Sequence, residues 1–140
     1  MAVVTFDFDD TLTHTQWDEE EGNFRFVGPN LVTIQSLRAH LDMGDEVHIV
    51  TSRIGPESMD LVDETHLTRS GQPGVGIFLR EHLGDDLERL TGVHFTSGDL
   101  KWKKLVELGC EKHFDDDPCE LEALPPGIQG IRVPTLHGFE

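Results

Sequence analysis

The stretch VVTFDFDDTLTH, residues 3–14, joins an apolar run to a crowd of carboxylates. Residues 2–8 are rich in β-branched and apolar side chains, which predicts a strand. Three aspartates, Asp7, Asp9 and Asp10, gather where that strand should end. Because like charges repel, such crowding is best tolerated around a cation held by hard oxygen ligands. The stretch therefore predicts a strand that delivers acidic side chains to a cation site.

Length and composition indicate one globular domain over residues 1–140. The chain is long enough to bury a core, and its 36% hydrophobic and 27% charged residues are close to globular averages. It enters a strand-like run at once, without a signal-peptide core or a long apolar segment, so we expect neither export nor membrane insertion. Cys110 and Cys119 lack the second pair of a zinc site and are interpreted as reduced thiols of a cytoplasmic protein.

The charge balance bears on possible partners. Acidic residues outnumber Lys and Arg by 27 to 11, and the formal net charge is -16. Nucleic-acid binding draws much of its affinity from Lys and Arg at phosphates, and the sequence shows no basic stripe. Nucleic acid is therefore the less favoured partner, while the oligomeric state stays open.

Strand and helix patterns alternate along the chain. Further strands are predicted over residues 46–50, 93–96, 110–114 and 128–133. Helices are predicted over residues 29–43, 75–83 and 100–108, with a short one from Pro118 and another over residues 57–66. This alternation predicts a three-layer α/β/α, Rossmann-like domain with a mostly parallel five-stranded sheet. Residues 13–28 predict a β-hairpin flap after the first strand.

Polar side chains follow the predicted strands at their carboxyl ends, where ligands bind in open α/β sheets. A short motif such as DxDxT arises easily by chance, but several polar groups at one sheet edge are a stronger signal. The residues in question are Asp7, Asp9, Thr51, Ser52, Arg53, Lys101, Asp115, Asp116 and Asp117. We expect them to converge on one site.

Four segments, FDFDDTL, HIVTSR, GDLKWKKLVELG and HFDDDP, resemble the four motifs of the haloacid dehalogenase (HAD) superfamily. The resemblance spans about residues 3–118. It implies a phosphatase in which Asp7 is the nucleophile and Asp9 the general acid and base. It also implies that Thr51 binds the phosphoryl group and that Lys101 stabilises its charge.

The resemblance further implies a Mg2+ cofactor. Its ligands would be Asp7, the backbone carbonyl of Asp9, and Asp115 and Asp116; which of the last two contacts the ion directly stays open. Independently, Asp7 and Asp9 share a face of an extended segment, with Phe8 pointing into the protein. Asp10 is then expected to point away and to help the chain turn.

Several of the residues assigned to phosphate or substrate binding have an alternative. Lys104 shares a helical face with Lys101 and could replace it. Ser52 and Arg53 are candidate substrate contacts with Thr51 and Lys101. Arg25 is a further candidate, and either arginine could instead be an ordinary surface residue. Trp17, at the base of the hairpin, could touch a leaving group or pack the hairpin against the domain.

The spacing of the motifs leaves no room for a large cap domain, so the resemblance implies a small, uncapped phosphatase. A nucleotide or another small phosphate monoester is the preferred substrate. A polynucleotide 3'-phosphatase is the alternative, favoured by an open site and disfavoured by the acidic composition. A receiver-type phosphoacceptor domain is the non-enzyme alternative. In receivers, however, no second acid cluster follows the lysine, whereas here Asp115 follows Lys101.

Overall fold

The computed structural model describes residues 1–54 and 73–136. The strands are β1 (Val3–Phe6), β2 (Thr13–Asp18), β3 (Asn23–Pro29), β4 (Glu46–Thr51), β5 (Gly92–Phe95), β6 (Lys112–Asp115) and β7 (Gln129–Arg132). The helices are α1 (Leu31–Asp42), α2 (Val75–Leu83), α3 (Trp102–Leu108) and α4 (Pro118–Glu122), with a 3-10 helix over Gly84–Arg89. The helix predicted over residues 57–66 lies outside the described residues.

The main sheet has five strands in the order β5-β4-β1-β6-β7, and all four pairings are parallel. The predicted Rossmann-like α/β fold is confirmed. The chain leaves the central β1 for β4 on one side and later returns to β6 on the other. The carboxyl ends of these three strands therefore meet at a topological switch point, where open α/β sheets bind ligands.

The two faces of the sheet carry different side chains because residues alternate along each strand. Val4 and Phe6 face the main core, together with Ile34 of α1 and Phe78 of α2. Thr5, between them in sequence, is also fully buried but lies on the opposite face, toward the side where α3 packs. Both faces are therefore covered, which accounts for three layers.

The first strand ends two residues earlier than predicted. Pairing with the neighbouring strands stops at Phe6, although the Asp7 N–H still donates to the Phe114 carbonyl at 2.9 Å. The Phe8 carbonyl then accepts the Leu12 N–H at 2.9 Å, which closes a turn. Asp10 has a left-handed φ of 62° inside this turn. The aspartates therefore lie on a tight loop rather than on the strand.

The predicted hairpin is confirmed as the antiparallel pair β2 and β3, with a register shift between His14 and Thr15. Trp17 is 48% exposed and packs edge-on against Phe24, its partner across the hairpin. Phe26 instead contacts Phe78 of α2, with ring centroids 6.2 Å apart. The packing role considered for Trp17 therefore belongs to Phe26.

The sequence predicted no membrane insertion and two reduced cysteines. None of the helices in residues 1–54 and 73–136 has the length and apolarity needed to cross a bilayer. Cys110 is buried and Cys119 is exposed, and both are free thiols.

Candidate active site

Three carboxylates converge at the carboxyl ends of β1 and β6. Asp7, Asp115 and Asp116 offer oxygens that all lie within 4.8 Å of one another. Asp7 and Asp115 are buried, so bulk water screens their repulsion poorly. Hard carboxylate oxygens in this number suit Mg2+ completed by water and a substrate phosphate. The donor set therefore fits the predicted cation.

Lys101 lies among these carboxylates. Its Nζ donates to Asp7 Oδ1 and to Asp115 Oδ2, both at 2.8 Å, and its side chain is 4% exposed. Its backbone N–H donates to Glu120 Oε1 at 3.0 Å, which holds the start of α3 beside α4. Lys104 instead pairs with Glu107 at 3.3 Å, away from the cluster. The structure thus brings Lys101, and not Lys104, to the carboxylates.

The pKa values of the three acids in the cluster are shifted in different directions. Burial and the charge of Asp115 raise the pKa of Asp7 well above its usual value. Burial also raises the pKa of Asp116, to about 6. Burial opposes ionisation of Asp115 too, but the hydrogen bond from His113 and the charge of Lys101 outweigh it and lower the pKa of that carboxyl. Two of the three acids therefore resist ionisation, as expected where carboxylates outnumber the cations beside them.

Two hydrogen-bond donors of the cluster had no assigned role in the sequence. The Thr11 hydroxyl lies 3.0 Å from Asp7 Oδ2 and 3.2 Å from Asp116 Oδ1, so it can donate to either carboxylate. The Asp117 N–H donates to Asp115 Oδ1 at 3.0 Å. Thr11 is the last position of the DxDxT pattern, so a signal for it was present.

His113 supports the cluster from behind. It is fully buried on the sheet face that carries Thr5, with Nε2 2.8 Å from Asp115 Oδ2 and Nδ1 2.7 Å from the Thr5 hydroxyl. This series of hydrogen bonds, from Thr5 through His113, orients the Asp115 carboxylate. The spacing of two places His113 and Asp115 on one face of β6, so this contact had a signal in the sequence, whereas the contact with Thr5 depends on the pairing of β1 with β6.

Asp9 lies outside the three-carboxylate cluster. Both of its oxygens accept hydrogen bonds from Arg53, at 2.9 Å from Nε and 2.7 Å from Nη2. Phe8, between Asp7 and Asp9, is fully buried against Phe78, as predicted. The loop thus turns both aspartates toward one cavity but gives them different partners.

The residues after β4 divide between the interior and the cavity. Thr51 is 1% exposed, and its hydroxyl oxygen accepts the Arg53 N–H at 3.3 Å. Ser52 is exposed and borders the cavity, which Thr51 does not. Arg25 lies on the exposed side of the hairpin, opposite Gln16. The hydroxyl nearest to the cavity on this strand end is therefore that of Ser52.

The cavity itself is small and acidic, with a volume of about 180 Å3. It is lined by Asp7, Asp9, Asp10, Ser52, Lys101, Asp115, Asp116, Asp117 and Glu120. The expectation that Asp10 helps the chain turn is confirmed by its φ of 62°, but the expectation that it points away is wrong, since it lines the cavity. The volume suits a phosphoryl group, a cation and water, so a larger leaving group would extend beyond it.

We expect the metal-free protein to lose stability as the pH rises from about 4 to about 6. Because the pKa of Asp116 rises on folding from 3.8 to about 6, the folded state binds more protons than the unfolded state in this window. Mg2+ binds the ionised carboxylates, so it should raise the Tm more at about pH 7.5 than at about pH 5. Thermal unfolding with Mg2+ and with a chelator measures both effects.

Asp116→Asn provides the control for this prediction. Removing one of three crowded charges should raise the Tm of the metal-free protein at about pH 7.5 by roughly 3–8 °C and reduce the increment from Mg2+. Equal Mg2+ increments in both proteins would place the binding site elsewhere.

Comparison with known proteins leaves the function open. No family model matches the chain, and no curated protein matches it. The chain is similar to the crystal structure of a hypothetical protein from Xanthomonas campestris, with 22% sequence identity and a TM-score of 0.45 over 91% of this chain. It spans 61% of the length of that protein.

Proposed function

We propose that the protein is a Mg2+-dependent phosphatase that hydrolyses phosphate monoesters through an aspartyl-phosphate intermediate, as its resemblance to HAD phosphatases implies. One observation carries the proposal: Asp7, Asp115 and Asp116 converge around the buried Lys101 at the switch point of the sheet. A divalent cation would neutralise the crowded carboxylates, and the lysine ammonium group would neutralise charge on a phosphoryl group.

In the first step, a carboxylate oxygen of Asp7 attacks phosphorus while the bond to the ester oxygen breaks. Asp9 lies on the same cavity and donates a proton to that departing oxygen. Lys101 and the Ser52 hydroxyl meet the charge on the equatorial oxygens, where most of the electrostatic stabilisation is available. The product is a phosphorylated Asp7, which divides hydrolysis into two easier steps.

In the second step, water attacks the phosphorus of the acyl phosphate and Asp9 removes its proton. Phosphate leaves, and the Asp7 carboxylate is restored. Thr11 and Lys101 orient the Asp7 side chain before attack, with one hydrogen bond to each oxygen. Mg2+ held by Asp7, Asp115 and Asp116, with the Asp9 carbonyl, would supply neutralisation of the phosphate charge.

The substrate that fits best is a nucleotide or another small phosphorylated metabolite. The cavity accommodates a phosphoryl group, while the rest of the substrate would lie against the acidic rim. The chain has few Lys and Arg residues to neutralise the many phosphates of a polynucleotide, so a 3'-phosphatase acting on nucleic-acid ends is the second candidate and not the first.

The test is phosphate release by the purified protein from nucleotides, sugar phosphates and 3'-phosphorylated oligonucleotides, each with Mg2+ and with a chelator. We expect turnover that requires Mg2+ and is fastest on a small monoester. Release confined to oligonucleotides would favour the second candidate. A stable phospho-aspartate without turnover would favour a receiver-type domain, and no release from any substrate would refute the enzymatic proposal.

A further inference from the structure

Arg53 is held from three sides beside Asp9, which lines the candidate site. Its Nε and Nη2 donate to the two oxygens of Asp9, and its Nη1 donates to the Pro73 carbonyl at 2.7 Å. Its Cζ lies 4.9 Å from the centre of the Phe8 ring. Its side chain is only 10% exposed. The guanidinium is therefore a positioned group and not a free surface charge.

The pairing competes with the proposed role of Asp9. An acid and base must turn a carboxylate oxygen toward the leaving group, and Arg53 holds one hydrogen bond to each oxygen of Asp9, which fixes the direction of that carboxylate. Bidentate, charge-assisted hydrogen bonds are among the stronger ones in proteins. Asp9 can release a bond at low cost when another anion takes its place on Arg53, since the guanidinium then keeps a charged partner.

The described residues around Arg53 do not use all of its donors. Lys101, the other buried cation of the site, lies between Asp7 and Asp115, and the proposed mechanism assigns it to the transferred phosphoryl group. A guanidinium has five N–H donors, and the Arg53 contacts above account for three of them. The other two have no partner among residues 1–54 and 73–136. Within the described part of the chain, two N–H groups of Arg53 therefore remain for a second anion on a substrate bound beside Asp9.

We propose that the preferred substrate is a phosphate monoester whose leaving group carries a second anionic group, a carboxylate or a phosphate, and that Arg53 binds this group and so frees Asp9. The inference rests on the proposed phosphatase function and narrows its substrate class. Arg53 thereby couples recognition of the leaving group to the availability of the acid and base.

Matched substrate pairs test the proposal with Mg2+ present. One pair is phosphoglycolate and ethyl phosphate, and the other is a bisphosphate of a short diol and its monophosphate. We expect kcat/KM to favour the doubly anionic member by about 30-fold, the range of one charge-assisted hydrogen bond. The pair with the larger preference identifies the anion as carboxylate or phosphate.

Variants of Arg53 show whether this residue causes the preference. Arg53→Gln should bring the two members of each pair within about 3-fold, mainly by slowing the doubly anionic one, and Arg53→Lys should keep part of the preference. Arg89→Gln is the matched control, because Arg89 pairs with Asp42 and Asp86 on the surface and should leave the preference unchanged.

The possible results separate this inference from the function on which it rests. Release from all four substrates with equal kcat/KM would overturn the anion preference and leave the phosphatase standing. An equal loss on both members of a pair in Arg53→Gln would also overturn it, because Arg53 would then only hold Asp9 in place. Release from none of the substrates by the wild-type protein would overturn both proposals.

Discussion

Asp7→Asn is expected to lose Mg2+-dependent phosphate release by at least about 10⁴-fold, as removal of a covalent nucleophile does elsewhere. The amide keeps the shape of the side chain and can still accept a hydrogen bond from Lys101, but it is a poor nucleophile. The amide also removes one buried negative charge, so the variant should fold. Steady-state phosphate release and a thermal melt measure the two effects together.

Asp9→Asn separates the two chemical steps. With a leaving group that needs no proton, such as p-nitrophenolate, the first step should survive and the second should slow by about 10²–10⁴-fold. Phosphorylated protein would then accumulate, with the mass of one added phosphoryl group on the peptide that contains Asp7. A variant that turns over p-nitrophenyl phosphate at the wild-type rate, without a trapped intermediate, would exclude Asp9 as the base.

Lys101→Met is expected to lower the free energy of unfolding by about 3–5 kcal/mol, because it leaves Asp7 and Asp115 buried without their shared cation. The loss should be smaller at low pH, where protonation removes the repulsion between the acids. Chemical denaturation at about pH 5 and about pH 8 measures this dependence. Phosphate release should also fall, since the charge that meets the phosphoryl oxygens is gone.

Lys104→Met is the matched control for this prediction. Lys104 lies on the same helix and pairs with Glu107 near the surface, so its loss should cost about 0–1 kcal/mol and leave activity intact. The opposite result, a large loss for Lys104→Met and a small one for Lys101→Met, would reverse the lysine assignment. If Lys101→Met does not fold at about pH 8, its recovery at about pH 5 still tests the electrostatic explanation.

Local pattern predicted much of the fold and of the site. Alternating strands and helices require a parallel sheet covered on both faces, and parallel strands bring their carboxyl ends to one edge. Asp7, Lys101 and Asp115 could therefore be expected near that edge, although their contacts with one another could not. The burial of Phe8 was expected from the period of two in an extended chain, although the structure places Phe8 and the aspartates beside it on a loop beyond β1.

Other features depended on which strands become neighbours. The contact of His113 with Thr5 requires β1 to pair with β6, and no spacing along the chain encodes that register. The end of β1 at Phe6 arises because the turn after it supplies its own hydrogen bonds, a competition that apolar patterning does not reveal. That turn also places Asp10 at the rim.

The sequence by itself determined that carboxylates, a lysine and hydroxyl groups lie at one edge of a parallel sheet, because residue type and strand period suffice for that. Only the tertiary structure decided how these groups share partners. Lys101 joins Asp7 and Asp115, while Arg53 takes Asp9. Such pairings depend on ångström distances between side chains far apart in the chain, and folding sets those distances through the order of the strands and the path of the loops.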